Sequence, residues 1–212
     1  MANKREREKR ARENVALQYK KSTGKLLPFY GWAIAVLAAV IVCYFFNWVY
    51  VYNSDYGIEV KASGFSFIAA ALSGKYYSAD KIYGDLAMPF YYYAESSCET
   101  LGAVTLTAFI LIILTIIVLI IAIITKLQGF SFVSVALSLT SSIMLIVTFI
   151  VALGMKNDKI LSVYCGGNPK CTIGSSAVLP AVLAICATAV QWFAARKLNK
   201  IYKEYNDKIA KL

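Results

Sequence analysis

Apolar residues run in four long stretches along the chain, and polar or charged residues fill the segments between them. The clearest stretch, Leu101 to Thr125, contains no charge, no proline and only one glycine. A helix of this length crosses the hydrocarbon core of a bilayer, which is about 30 Å thick. With three similar stretches, the pattern predicts membrane spans at about 29–52, 101–125, 129–154 and 176–195.

The residues before the first span, 1–28, form a basic tail with nine Lys or Arg and three Glu. Glu6 and Arg10 are four residues apart, a spacing that favours an exposed helix with internal ion pairs. We interpret the positive charge as an orientation signal. Contact of the tail with anionic lipid or with a protein partner stays open as the alternative.

The residues after the fourth span, 196–212, form a second cytoplasmic tail. Its apolar residues recur at alternating steps of four and three, so we expect the last helix to continue out of the membrane with an apolar stripe. This stripe has three candidate partners, which are another chain, the membrane surface and the N-terminal tail. The residues of the stripe are Leu198, Tyr202, Tyr205, Ile209 and Leu212.

Charge indicates how the membrane domain, 29–195, is oriented. Sixteen of the 22 Lys and Arg residues lie on the side of the termini, which predicts a multi-pass plasma membrane protein with both termini in the cytoplasm. Residues 53–100 and 155–175 then form two outer loops. Only three residues separate the second and third spans, so these helices must be antiparallel neighbours.

The first outer loop opens with alternating apolar and polar residues over 57–69. We expect a β-hairpin that turns at Ser63-Gly64 and needs further strands or the span ends for support. The predicted fold is therefore all-α transmembrane, with a small extracellular β-hairpin or sheet in the first outer loop.

Small and weakly polar residues should mark the surfaces where the spans pack, because apolar side chains gain little by leaving lipid. Every span carries such residues at helical spacing, which predicts a left-handed four-helix bundle. The predicted packing residues are Gly31, Ala35, Ala39 and Asn47 in the first span, Ser134, Ser138 and Ser142 in the third, and Ala181, Thr188 and Gln191 in the fourth.

The predicted spans lack the titratable side chains that enzymes and metal sites use. The chain contains no histidine, and no Asp, Glu, Lys or Arg falls within any predicted span. General acid–base catalysis and metal binding need such groups in register, so we expect no enzyme activity, no cofactor and no metal. The positive charge is confined to the termini, and we expect membrane lipid rather than nucleic acid as its surroundings.

Cys165 and Cys171 lie close together in the second outer loop, with Gly-Gly-Asn-Pro between them. A disulfide between them is predicted if this loop faces an oxidising space. A bond from Cys98 to one of the two is the alternative.

Four consecutive aromatic residues, Phe90, Tyr91, Tyr92 and Tyr93, stand in the first outer loop. Tyrosine provides contact area at low entropic cost, which suits a surface that binds a protein partner or a second copy. The competing interpretation places these rings at the level of the lipid headgroups.

In layout, with four spans, both ends inside and a larger first outer loop that begins with β-structure, the chain resembles the claudin-like tetraspan proteins. The Trp-Gly-Leu-Trp segment and cysteine pair of that family's first loop are absent here, so no family binding residue transfers. The predicted function is a non-catalytic membrane scaffold or accessory subunit that acts through its extracellular loops. A homo-oligomeric pore or small-solute channel, lined by the serines of the third span, is the alternative.

Overall fold

The computed structural model describes residues 2–53, 58–73, 95–125, 127–155 and 170–211. Within these ranges helices dominate, and three short strands form one sheet. In chain order the elements are α1 (Ala2–Gly24), α2 (Leu27–Cys43), β1 (Asn47–Asn53), β2 (Ile58–Ser63), α3 (Gly64–Ser73), α4 (Glu95–Thr125), α5 (Gln128–Met155), β3 (Lys170–Ile173), a 3-10 turn (Ser175–Ala177) and α6 (Leu179–Ala210).

Four helices, α2, α4, α5 and α6, are long and apolar enough to cross a membrane, as the sequence predicts. They form a bundle in which α4 packs on α5, α5 on α6, α6 on α2 and α2 on α4. We call the end of the bundle that carries β1 to β3 the sheet end. The opposite end, where α1 and the last part of α6 extend beyond the apolar helices, is the stalk end.

Residues that face the interior recur at alternating steps of three and four along all four helices. The average step of about 3.5 residues keeps one seam of each helix facing its neighbours. Across the bundle, the Tyr30 hydroxyl lies 2.9 Å from Ser131 Oγ and joins α2 to α5. The buried seams are Tyr30, Ala33, Leu37, Val40 and Tyr44; Leu101, Thr105, Ala108, Ile112, Thr115, Leu119 and Ala122; Ser131, Ser134, Ser138, Ser141, Leu145, Thr148 and Ala152; and Ala184, Ala187, Gln191, Ala194 and Leu198.

The residues predicted to pack the first span against the other helices of the chain are not the ones that do so, and this prediction is wrong. Gly31, Ala35 and Ala39 are exposed, and Ala33 and Leu37 are fully buried in their place. The physical reason is the angular position on the helix. Ala35 is two residues from both Ala33 and Leu37, which is a rotation of about 200°, so the predicted small residues lie away from the buried seam.

The predicted first span is also too long at its far end. Helix α2 stops at Cys43, and β1 occupies Asn47–Asn53. The segment 48–52 reads Trp-Val-Tyr-Val-Tyr, which consists entirely of aromatic and β-branched residues. Such residues favour strands, and here they outweigh the hydropathy that suggested a longer helix.

The predicted turn at Ser63-Gly64 is instead the start of helix α3. Ser66 N–H donates to Ser63 Oγ at 3.2 Å, and Ser63 N–H donates to Ser66 Oγ at 3.4 Å. This reciprocal pair caps the helix in the manner of a capping box. The hairpin does exist, but its arms are β1 and β2.

The sheet unites two distant parts of the chain, because its order is β2-β1-β3. Val51 pairs with Val60 on one side and with Cys171 on the other, both antiparallel. The prediction of a small sheet is therefore confirmed. Its strands come from the end of the predicted first span, from the predicted first loop and from the predicted second loop.

At the stalk end, α1 packs against the part of α6 that follows the apolar span. Tyr19 and Tyr205 place their ring centroids 4.7 Å apart, and Lys208 Nζ donates to Gln18 Oε1 at 3.2 Å. Of the three candidate partners for the C-terminal apolar stripe, the structure shows the N-terminal tail. The predicted Glu6–Arg10 ion pair is confirmed, with an N···O distance of 2.8 Å.

Candidate functional site

An aromatic cluster fastens the sheet to the helical bundle. Tyr44, at the end of α2, lies 4.9 Å from Trp48 and 5.3 Å from Phe109 of α4, measured between ring centroids. Phe65 of α3 lies 5.4 Å from Phe109 in an edge-on arrangement. Aromatic pairs at these distances and angles attract beyond their area burial, so helix, strand and α3 are held as one unit.

Trp48 lies at the centre of this aromatic cluster. It is 1% exposed, and its indole N–H donates to the Cys43 carbonyl at 2.9 Å. Gly64 lies against the ring, where an added Cβ would come within 2.7 Å of it. Only glycine allows α3 to begin at this place, because a methyl group would overlap the buried indole.

Backbone hydrogen bonds tie the remaining parts to the same unit. Gly174 N–H donates to the Trp48 carbonyl at 2.9 Å, and Phe65 N–H donates to the Tyr44 carbonyl at 3.0 Å. Asn47, predicted to pack between spans, begins β1 instead, and its carbonyl accepts a hydrogen bond from Ser176 Oγ. The sheet end is thus a platform packed against the bundle, with contacts to α2, α4 and α5 and, through the 3-10 turn, to α6.

Two predicted sites fall on residues outside those described. Phe90, Tyr91, Tyr92 and Tyr93 lie in the range 74–94, and Cys165 lies in 156–169. Cys171 belongs to β3, where its backbone pairs with β1. The partner-binding aromatics and the Cys165–Cys171 disulfide therefore stay predictions.

A second candidate site is the polar seam between α5 and α6. Ser138 Oγ lies 2.7 Å from Thr188 Oγ1, and Ser142 Oγ lies 3.2 Å from the same atom. Gln191 Nε2 donates to Ser138 Oγ at 3.2 Å. These side chains are buried or half-buried, as are Ser134, which donates to the Ser131 carbonyl, and Ala181.

The Gln191 amide is fully buried, yet its Oε1 has no hydrogen-bond partner among the described residues. We expect Gln191→Met to keep or raise the free energy of unfolding, by up to about 1–3 kcal/mol, because an unpaired buried acceptor is costly. Unfolding in mixed micelles measures this. Thr188→Val, which loses paired hydrogen bonds at similar volume, serves as the control and is expected to destabilise. A clear loss of stability in Gln191→Met would show that the hydrogen bond from Gln191 Nε2 to Ser138 outweighs the cost of the unpaired oxygen.

Sequence reasoning missed the aromatic cluster. It placed Trp48 within the predicted first span, 29–52, and gave Tyr44 and Phe109 no role. A signal existed, since Tyr44 and Trp48 are four residues apart, but Phe65 and Phe109 join them only in three dimensions.

No protein-family model matches the chain, and no curated protein matches it. The resemblance to claudin-like proteins therefore rests on layout alone, namely four apolar helices and a small sheet at one end of the bundle. Layout of this kind says nothing about which molecule is bound.

Proposed function

We propose that this protein is a non-catalytic integral membrane scaffold or accessory subunit that binds a protein partner, or a second copy of itself, through the loops at the sheet end. One observation carries the proposal. Strands from two separate parts of the chain form one sheet, and a buried aromatic cluster fixes that sheet to the bundle. Binding surfaces gain affinity when their support is already ordered.

The platform carries the segments that we assign to recognition. Residues 54–57 connect β1 to β2, residues 74–94 connect α3 to α4, and residues 156–169 connect α5 to β3. The flanking residues of each segment belong to elements at the sheet end. The segment that contains Phe90 to Tyr93 therefore begins after α3 and ends at α4.

The proposal includes an orientation and a location. The stalk end holds most of the Lys and Arg, so we place it in the cytoplasm and the sheet outside the plasma membrane. An oxidising exterior then supports the Cys165–Cys171 disulfide. The step of about 3.5 residues along the buried seams supports a left-handed bundle.

Capture of partners in mild detergent tests the role of the four aromatics. Changing Phe90, Tyr91, Tyr92 and Tyr93 to Ser is expected to reduce recovery of a cross-linked or co-purified partner at least about tenfold, because aromatic anchors dominate interface energetics. The same substitution at Tyr76, Tyr77 and Tyr83 of the same loop is the matched control. Equal recovery with all three proteins would place the rings at the headgroups and contradict the recognition role.

The alternative function, a homo-oligomeric pore, needs the serines of α5 to face a water column. Ser138 and Ser142 are buried inside a single chain and bonded to Thr188 of α6, which supports a packing role for them instead. Conductance of the purified protein in liposomes decides this point, since a packing role predicts none.

A further inference from the structure

The apolar bundle ends and the stalk begins at the same level on the neighbouring helices, and we call this level the border. Gln128 Nε2, at the start of α5, donates to Asn199 Oδ1 of α6 at 2.6 Å. Leu26, between α1 and α2, and Leu198 of α6 are both buried in the same core. The connections α1–α2 and α4–α5 and the end of the apolar part of α6 thus lie together, at the level where charged residues resume along the chain.

Aromatic rings lie directly inside this border, and cations lie on it. Arg196 Cζ is 5.4 Å from the Trp192 ring centroid. Lys197 Nζ is 4.4 Å from the Phe193 centroid and 5.6 Å from that of Phe29 on α2. Trp192 and Phe193 are each 47% exposed, so they face lipid at the depth where aromatic rings meet headgroups.

Among the residues that the structure describes, neither Arg196 nor Lys197 forms an ion pair with a carboxylate. Neither Asp nor Glu occurs between Asp158 and Glu204, or between Glu13 and Asp55, which are the segments that form this side of α2 and α6. Phe29 and Phe193 hold Lys197 over the seam between α2 and α6, and Trp192 holds the adjacent Arg196 on α6. The rings do not neutralise either charge. Two positioned and unneutralised cations at a membrane surface attract an anion from outside the chain.

We propose that Arg196 and Lys197 bind the phosphate of an anionic phospholipid, in the leaflet on the side of the termini, at the seam between α2 and α6. Phe29, Trp192 and Phe193 pack against the glycerol and the first acyl carbons of the same molecule. Anionic lipid is favoured over an acidic protein because the cations begin at the last apolar turn, within headgroup depth, and because the rings continue the site into the hydrocarbon.

Native mass spectrometry of the protein released from bilayers of equal parts phosphatidylglycerol and phosphatidylcholine tests the site. The wild-type protein is expected to retain phosphatidylglycerol in preference to phosphatidylcholine. Arg196→Gln with Lys197→Gln is expected to weaken that preference about 30-fold, since each cation near the surface contributes about fivefold.

The matched control removes the same charge from the same helix, by Lys203→Gln with Lys211→Gln. These exposed residues lie about 9 Å and about 21 Å beyond Lys197 along the helix, at or beyond the screening length of salt. This variant is expected to keep the preference within about twofold. An equal loss in both variants would mean a diffuse positive field and overturn the site.

A third arm adds inorganic phosphate in excess before release. A lipid site, which also binds through its aromatic rings, is expected to keep its phosphatidylglycerol. Displacement by free phosphate would overturn the assignment to lipid, and thermal unfolding of each variant verifies that the fold is intact. The result is independent of the partner proposed for the loops, because the two sites lie at opposite ends of the bundle.

Discussion

Trp48→Ala is expected to lower the free energy of unfolding by about 3–5 kcal/mol, the largest effect of any single truncation considered for this protein. The indole fills the space among Tyr44, Gly64 and the end of α2, and it donates a hydrogen bond to the Cys43 carbonyl. Its removal leaves a cavity in the part of the molecule that joins the sheet to the bundle. It also removes one of two hydrogen bonds to the Cys43 carbonyl, the other being donated by Phe46 N–H.

Unfolding in mixed micelles, followed by far-ultraviolet circular dichroism, measures this loss. Trp32→Ala is the control for tryptophan content, because Trp32 is 69% exposed and lies outside the buried core. A small effect in Trp48→Ala, or equal effects in both variants, would contradict the role of the aromatic cluster as a fastening.

Ala33→Leu is expected to destabilise the bundle by about 1–3 kcal/mol, because a larger side chain overpacks a closed seam. Ala33 is a fully buried residue on the side of α2 that faces the core. Two residues later, Ala35 lies on the exposed face of the same helix. Ala35→Leu is therefore expected to change stability little, although the two substitutions are chemically the same.

The comparison also tests the correction of the predicted packing surface. Thermal unfolding of the two variants in one detergent gives the ranking, and the mass of the protein–detergent complex shows whether the oligomeric state changes. Greater damage from Ala35→Leu than from Ala33→Leu would restore the four-residue pattern of Gly31, Ala35 and Ala39 as the contact surface.

The spans were predictable because mean hydropathy is taken over a whole helix and does not depend on which other helices it packs against. The extent of the first helix was not, since Trp48 to Tyr52 satisfies both an apolar helix and a strand, and only pairing with β2 and β3 decides between them. Ser63-Gly64 is ambiguous for a similar reason. The dipeptide suits a turn or a helix cap, and the cap is preferred where Gly64 can lie against Trp48.

The packing surfaces were predictable only in part. In α5, serines recur at steps that fit a seam, and Ser134, Ser138 and Ser142 are buried. In α2, small residues occur on more than one side, so composition alone does not select among them. The aromatic cluster unites residues from positions 44 to 109, and local spacing carries no information about contacts at that separation.

The central position of β1 has a consequence for biogenesis. Strand β1 is synthesised early, but its second neighbour, β3, follows more than a hundred residues later, immediately before the last apolar helix. Until that strand leaves the ribosome, one edge of β1 has unpaired amides and carbonyls, which invite association with other chains. A nascent chain that stalls before residue 170 therefore presents an unpaired strand edge to which other chains can bind.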